Sequence, residues 1–569
     1  MKRISLFFLF TLLGLRWSPG QTADSSAYRF PLDLPPLLSA TFGELRPGHF
    51  HAGLDIKTNG KTGYKVYAIA DGYIYRVKVQ RGGYGKAVYI KHHDGKISVY
   101  AHLSAFAGDL AGYVKRKQYE KQRFFIELRL NENLFPVTKG QVIGFSGNTG
   151  GSFGPHLHFE LREDEAHPVN PMRFGFRVPD TLPPRLVDLW FYPLTDSSVV
   201  TEGNKPVQGV LEKQQGHDYR MQAITAYGAV GLGIRAYDRQ NNTWNKNGLY
   251  RISMFVNGIK TYETRMDRLD YGRNRRINLL IDYPRYVHEH VYVQRLWKHS
   301  LANLPVFTQL VKHGIVQVEP GKTYRIRIEL ADFEGNTSNV HAWIIGRKPG
   351  KRFEKHPQTY DGEVVDVSWT KGADLGDDAV RVHIPRHCVY DSTKIALVED
   401  YRSFDIGRPD IPLNRRFRAA YSLKDIPPAR KKYAYLARYS ERKGRYYFAT
   451  ARRVRDSLIL NTYNFGHYKV FFDSIPPVIS GLNIRNGQWI SRWHYLRFRA
   501  SDKQTGIKSV EAYIDGKWIL TDWDPKTGKA IYDFNDLDFA GSKHKLLIRI
   551  KDRAGNTTEK TLIFYRKFK

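Results

Sequence analysis

The strongest constraint on how this chain folds is that part of it occurs twice. Gly248-Leu-Tyr-Arg-Ile-Ser-Met-Phe-Val-Asn-Gly258 aligns without a gap with Gly506-Ile-Lys-Ser-Val-Glu-Ala-Tyr-Ile-Asp-Gly516. Further on, Ile328–Thr337 matches Ile550–Thr557 around a shared Asp-x-x-Gly-Asn-Thr core that begins at Asp332 and at Asp552. Each copy opens with a Pro-Pro pair, Pro183-Pro184 and Pro476-Pro477. The first pieces lie 258 residues apart and the second 220, so the first copy carries 38 extra residues, in the region of Tyr262 to Val316. Alternating strand patterns, frequent turns and no long helical periodicity predict two antiparallel sandwiches of immunoglobulin-like architecture, over 179–347 and 475–569. Between them, 348–474 reads as a β-rich unit of unknown role. Such modules are spacers or docking surfaces, so a partner protein of the cell envelope is expected on the C-terminal β units.

The remaining part, 28–175, is also predicted all-β. Val66–Ile69, Tyr73–Val79, Ala87–Lys91 and Ile97–His102 are rich in Val, Ile and Tyr and are bounded by glycines. His92-His93-Asp94-Gly95 supplies a hairpin turn, which predicts both histidines exposed. Ahead of it, Lys2 and Arg3 precede the apolar run Ile4–Leu15, and Ser18 and Gly20 follow. That order is the pattern of a secretory signal peptide over 1–20, and a run reaching about 18 Å is too short for a bilayer core of about 30 Å. No later stretch reaches about 18 uninterrupted apolar residues, so the mature chain is expected in the periplasm or cell envelope without a transmembrane span. The single cysteine, Cys388, excludes an intrachain disulfide and a zinc site built from several thiolates. The 89 Lys and Arg against 56 Asp and Glu leave +33, which favours anionic surroundings and says nothing of the fold.

Four short signals fall within the first 160 residues: His51-Ala-Gly-Leu-Asp55, Tyr100-Ala-His102-Leu103, the glycine-rich run Gly144–Pro155, and His156-Leu-His158-Phe-Glu160. Strand alternation turns His156 and His158 to one face and Leu157 and Phe159 to the other. Hydrolytic zinc needs about three nitrogen or oxygen donors and an open position for water. His51, Asp55 and one of the strand pair supply that set. His-x-His spacing alone is weak, since His49-Phe-His51 and His288-Glu-His290 share it, and the latter is expected in a solvated loop.

With His51-x-x-x-Asp55, Tyr100-x-His102-Leu103, Gly140-Gln-Val-Ile-Gly144, Gly147-x-Thr-Gly150 and His156–Glu160, residues 38–172 resemble the lysostaphin-type (LytM-type) zinc metallopeptidases. The overall layout is similar to large exported versions from Bacteroidetes-type bacteria. The resemblance implies one Zn²⁺ per chain held by His51, Asp55 and His158, with His102 and His156 as the catalytic histidines. It further implies hydrolysis of peptide cross-links in bacterial peptidoglycan. Relatives that have lost the metal set act as activators of other wall hydrolases, and a catalytically idle, wall-binding or activating scaffold is the alternative. A departure from smaller members is the insertion over about 104–138, whose Lys- and Arg-rich Tyr113–Arg123 could wall, serve or block the cleft.

Two rivals are weaker. Arg430–Arg455 interleaves ten Lys or Arg with Tyr433, Tyr435, Tyr439, Tyr446 and Tyr447, a composition suited to nucleic acid, but export removes the protein from that partner. Gly147–Gly154 lacks the Gly-Lys-Ser/Thr ending of a phosphate loop and is followed by a strand. Its glycines are expected to allow a tight turn beside the metal site.

Overall fold

The computed structural model describes residues 28–350 and 359–568, so the signal-peptide reading lies outside the described residues. The described part is nearly all β. In the N-terminal unit, numbered in chain order, are β1 (Leu38–Ala40), β2 (Leu54–Lys57), β3 (Gly72–Val79), β4 (Lys86–His92), β5 (Ile97–Leu103), α1 (Gly108–Glu120), β6 (Ile126–Arg129) and β7 (His156–Arg162). They form the path β1-β2-β7-β5-β4-β3-β6 of a nine-stranded sheet. Alternation sorts β7 as its sequence demands. Leu157, Phe159 and Leu161 enter the main core with Leu54, Ile56 and Tyr100, and a second small cluster holds Tyr89, Val99 and Ala101. A three-stranded sheet made by Lys65–Tyr67, Val142–Phe145 and Ala105–Phe106 contributes Val66, Ile143 and Phe106 to the main core.

The insertion forms α1, whose buried residues Leu110, Val114 and Gln118 recur every four positions, and then β6, which pairs with β3 at the sheet edge. That edge is four places from β7. His92 departs from expectation: it ends β4, is buried, and its Nδ1 and Nε2 meet the Asp71 carbonyl (3.0 Å) and the Ser98 hydroxyl (2.7 Å). The exposed turn begins only at His93.

The internal repeat is structural down to its register. Arg251–Val256 pairs antiparallel with Thr323–Ala331, setting Ile252 opposite Leu330, and Ile507–Ile514 pairs with Lys543–Asp552, setting the matching Val510 opposite Ile550. Both hairpin turns place two residues at positive φ, Asn257-Gly258 and Asp515-Gly516, the geometry that Asn-Gly and Asp-Gly dipeptides favour. The pairing is not wholly antiparallel. Asp218–Met221 and Ile224–Tyr237 both run parallel to Thr337–Gly346, and Gln488–Trp489 runs parallel to Thr557–Tyr565. The fourteen-residue strand Ile224–Tyr237 links thirteen strands into one network by bonding on both sides, with Gly228 at φ +80° easing its course. Between the copies, a six-stranded and a five-stranded sheet enclose a core that includes Phe404, Phe417, Phe465 and Tyr468. The last copy packs four strands on five around Trp523, Tyr532 and Phe564.

The 38 additional residues of the first copy are not a solvated loop. They include helices Ile277–Leu280 and Tyr283–Glu289, and Met266, Leu269, Ile277, Leu280, Leu304 and Val306 complete the main core of the N-terminal unit. His288 ends up exposed on the second of those helices.

Candidate metal centre

β2 and β7 are neighbours in register, with His158 opposite Asp55, and this pairing assembles the centre. His51 precedes β2 on an extended segment and closes the group. His51 Nε2 lies 3.1 Å from His158 Nδ1 and 3.1 Å from Asp55 Oδ1, and His158 Nδ1 lies 2.7 Å from the same oxygen. The backs of both rings are occupied. His51 Nδ1–H donates to the Thr41 carbonyl (2.7 Å), and His158 Nε2–H donates to Glu160 Oε1 (2.8 Å). Those bonds fix each tautomer so that a lone pair on the other nitrogen points inward. Two lone pairs and a carboxylate oxygen converging at such distances require a cation among them. A zinc ion with bonds of about 2.0–2.1 Å fits a donor set with edges near 3 Å. In the ion-free protein a proton plays that part. Burial opposes the charged imidazole of His158, but its hydrogen bonds to Asp55 and Glu160 outweigh it and raise the pKa to about 9. Asp55, partly buried, is held well below the usual carboxylate range by His51, His156 and His158 against the opposing effect of desolvation.

His102 and His156 flank this group with ring centroids 4.8 Å apart. His102 Nδ1–H donates to the Thr149 carbonyl (2.8 Å) and His156 Nδ1–H to the Gly154 carbonyl (2.9 Å), which frees both Nε2 atoms. His156 Nε2 lies 3.4 Å from Asp55 Oδ1. Burial first, then the charges of His158 and His156, lowers the His102 pKa to about 3, so this ring is neutral. Its backbone sits at φ +61°, a conformation non-glycine residues adopt at a cost. The glycine run makes room for it. A Cβ on Gly147 would stand 2.3 Å from the Ser104 nitrogen and 2.5 Å from the His102 carbonyl oxygen. Gly150, at φ +75°, abuts the backbone of Gly85 as closely.

The five residues singled out from the sequence therefore lie together. Others around them carried no assigned role. Glu160 is fully buried and accepts from His158, from Arg162 Nε (2.6 Å), from the Tyr84 hydroxyl and from the Tyr271 hydroxyl (3.0 Å). Arg162, with His158, pulls its carboxyl far below the ordinary range against the opposing effect of burial. Glu160 was legible from strand alternation, two residues beyond His158. Tyr271 was not, because it comes from the extra segment of the first repeat. On the outer rim, Lys526 of the last unit donates to the carbonyls of Asn148 and Ser152 (3.2 Å for the latter) in the glycine-rich loop.

Residues 49–119 and 132–171 match the sequence profile of Peptidase family M23. The chain carries an M23 domain. The M23 domain is 38% identical over 136 residues to the DD-carboxypeptidase/endopeptidase Mpg of Neisseria meningitidis serogroup B, covering 24% of this chain and 25% of that protein. It is 32% identical over 149 residues to the murein hydrolase activator NlpD of Escherichia coli K12, covering 26% of this chain and 31% of NlpD. The match thus spans about a quarter of the length of the first of these relatives. Among solved structures, the lysostaphin catalytic domain of Staphylococcus simulans is similar at 26% identity, over 25% of this chain and 93% of that domain, with a TM-score of 0.19.

Proposed function

We propose that this protein is an exported zinc metalloendopeptidase that hydrolyses the peptide cross-links of bacterial peptidoglycan. The observation that carries the reading is the convergence of His51 Nε2, Asp55 Oδ1 and His158 Nδ1 beside two imidazoles whose Nε2 atoms are free. His51, Asp55 and His158 would hold the zinc. When bound, the ion supplies a Lewis acid that polarises a carbonyl and brings the pKa of water down to about 7.

The remaining work falls to the chain's own residues. His102 and His156, each anchored through Nδ1, present Nε2 to the space beside the donors. With Nδ1–H engaged, each ring carries a lone pair on Nε2: one accepts the proton of the attacking water and as imidazolium passes it to the departing amine, while the other donates to the carbonyl oxygen only when it is protonated at Nε2 as well. Anchoring by the Thr149 and Gly154 carbonyls keeps both rings oriented without reorganisation. The net charge of +33 suits a wall rich in carboxylates, with attraction screened beyond about 8 Å at physiological salt. Localisation in the periplasm or envelope follows from the same reading, and no helix among the described residues is long and apolar enough to cross a membrane.

The experiment is a digest of purified peptidoglycan followed by mass spectrometry of the released peptides. Cross-link cleavage that a chelator abolishes and zinc restores is expected. A wall left intact by zinc-loaded protein would overturn the reading in favour of a non-catalytic activator, the activity named for NlpD. That second reading draws on one observation here, the contact of Lys526 with the Asn148 and Ser152 carbonyls on either side of Thr149.

A further inference from the structure

A second group of metal-type donors lies where the N-terminal unit meets the first repeat copy. Asp180, Asp238 and Asp332 each bring a carboxylate oxygen to within 4.8 Å of the others. They arrive from separate places: Asp180 from the linker before Arg185–Pro193, Asp238 from the residue after Ile224–Tyr237, and Asp332 from the residue after Thr323–Ala331. Asp332 and Asp180 repel Asp238, and Asp180 repels Asp332. Three carboxylates so placed repel unless a cation joins them.

Independent of that clustering, the site contains buried oxygens with nothing to bind. Asp238 is 6% exposed, and its Oδ1 accepts no hydrogen bond. Asn247, 3% exposed, faces Asp238 across a two-residue backbone bridge, and its Oδ1 is also unpartnered. Both line a cavity of about 30 Å³ together with Asp180, Asp332 and Glu334, whose Oε1 is a third orphan. That volume exceeds the roughly 10–15 Å³ that one small guest needs. Buried acceptors are almost always satisfied in native proteins, so orphans converging on one cavity mark a missing donor or cation. The donors are oxygen only, carboxylate mixed with amide, the ligand chemistry of a hard cation.

We propose that Asp180, Asp238, Asp332 and Asn247 form a calcium site in the first repeat copy, at its boundary with the N-terminal unit. The opposite wall of the cavity comes from that unit and includes Leu38, Phe42 and Thr41, the residue whose carbonyl holds His51 Nδ1. The binding claim does not rest on the peptidase reading.

The last copy repeats the carboxylates at matching positions, Asp473, Asp502 and Asp552, also within 4.8 Å. Asn336 Nδ2 donates to Asp332 Oδ2 (2.6 Å) and the Asp180 carbonyl (3.0 Å), and Asn556 does the same to Asp552 (2.7 Å) and Asp473 (2.7 Å). There, however, the Thr505 hydroxyl donates to Asp473 Oδ2 (2.7 Å) and the Gly506 amide to Asp502 Oδ1 (2.6 Å). The proposal is confined to the first copy, where Asp238 Oδ1 and Asn247 Oδ1 lack partners, although Asp180 Oδ1 and both Asp332 oxygens accept hydrogen bonds.

The test uses the full-length protein, stripped of divalent ions, resupplied with one equivalent of zinc and titrated with calcium chloride to about 1 mM, the range of extracellular calcium modules. Asp238→Asn is expected to bind one calcium fewer per chain than the wild type. Calcium should raise the wild-type melting temperature by about 2–4 °C and leave the variant unmoved. Because Asn is isosteric and removes repulsion, the variant should melt no lower than the calcium-free wild type, which separates lost binding from lost folding. Equal calcium counts in the two proteins, no binding by the wild type at about 1 mM, or an equal effect of magnesium would each overturn the proposal.

Discussion

Glu160 joins two kinds of chemistry in one carboxylate, and its replacement should separate them. One oxygen takes the His158 Nε2–H and fixes the tautomer that turns Nδ1 inward, while the other takes Arg162, which is 3% exposed. Glu160→Gln should therefore lower zinc affinity by about 10–100-fold, the usual effect of losing a carboxylate behind a ligating histidine. It should also destabilise the protein by about 3–5 kcal/mol, because the buried Arg162 loses its counter-charge. Adding Arg162→Met should recover much of the melting temperature and none of the zinc affinity. Parallel recovery of both, measured by chelator competition and thermal melting, would show that the carboxylate acts on the metal only through general stability. Cys388 offers a simpler residue-scale prediction. It is fully buried, its Sγ–H faces the Arg415 carbonyl at 3.3 Å, and burial pushes its pKa up to about 12. The thiolate is the reactive form, so Ellman's reagent at pH 8 should leave the native protein untouched and label one thiol once denaturant is added.

At the scale of elements, the glycine-rich loop matters as much as the histidines it serves. Gly147→Ala forces a Cβ against the backbone of Ser104 and His102, where no flexible side chain can give way. The loop must move, and with it the Thr149 carbonyl that orients His102. A shift of about 1 Å at a reacting group costs on the order of 10²-fold in rate, so turnover should fall at least that far with zinc content near one per chain. Unchanged turnover would show that the loop does not set the histidine geometry. This element also marks how far the sequence could be read. Strand alternation was enough to place His156 and His158 on one face and Leu157 and Phe159 on the other, and the repeat was enough to expect two similar β units. Periodicity is a local signal. It therefore missed that Tyr113–Arg123 is mostly helical and leads into an edge strand, that His92 is buried, and that Ile224–Tyr237 serves both sides of a network. Tyr271 illustrates the same limit at the centre itself, since 111 residues separate it from the carboxylate it touches.

On the scale of the whole molecule, the N-terminal unit shares its core with the first repeat copy. Met266, Leu269, Ile277, Leu280, Leu304 and Val306 are each 5% exposed or less within the core of the N-terminal unit. At about 1.5–3 kcal/mol for each buried side chain, their removal withdraws an amount of the order of a domain's entire net stability, about 5–15 kcal/mol. A chain ending at residue 178 should therefore fail to melt cooperatively and should bind zinc poorly, while one ending near residue 347 should regain both. The last unit makes a different kind of contact. Asp536 meets Lys115 (2.5 Å) and Tyr119 (3.0 Å) on α1, Asp522 meets Lys86 (3.1 Å), and Lys526 reaches the glycine-rich loop. Single exposed ion pairs contribute about 0–1 kcal/mol, and with Leu520 packed on the N-terminal core and Trp518 on Tyr119 the contact touches no proposed zinc donor, so deleting 475–569 should leave the zinc centre intact. It should instead act at the cleft rim by freeing the Asn148 and Ser152 carbonyls. With a soluble cross-linked peptide as substrate, KM should change while zinc content stays constant, and Lys526→Ala in the full chain should reproduce part of that change. Zinc loss on deleting the last unit would mean that it supports the metal centre directly, and no change in KM would mean that its contact with the loop is incidental to substrate access.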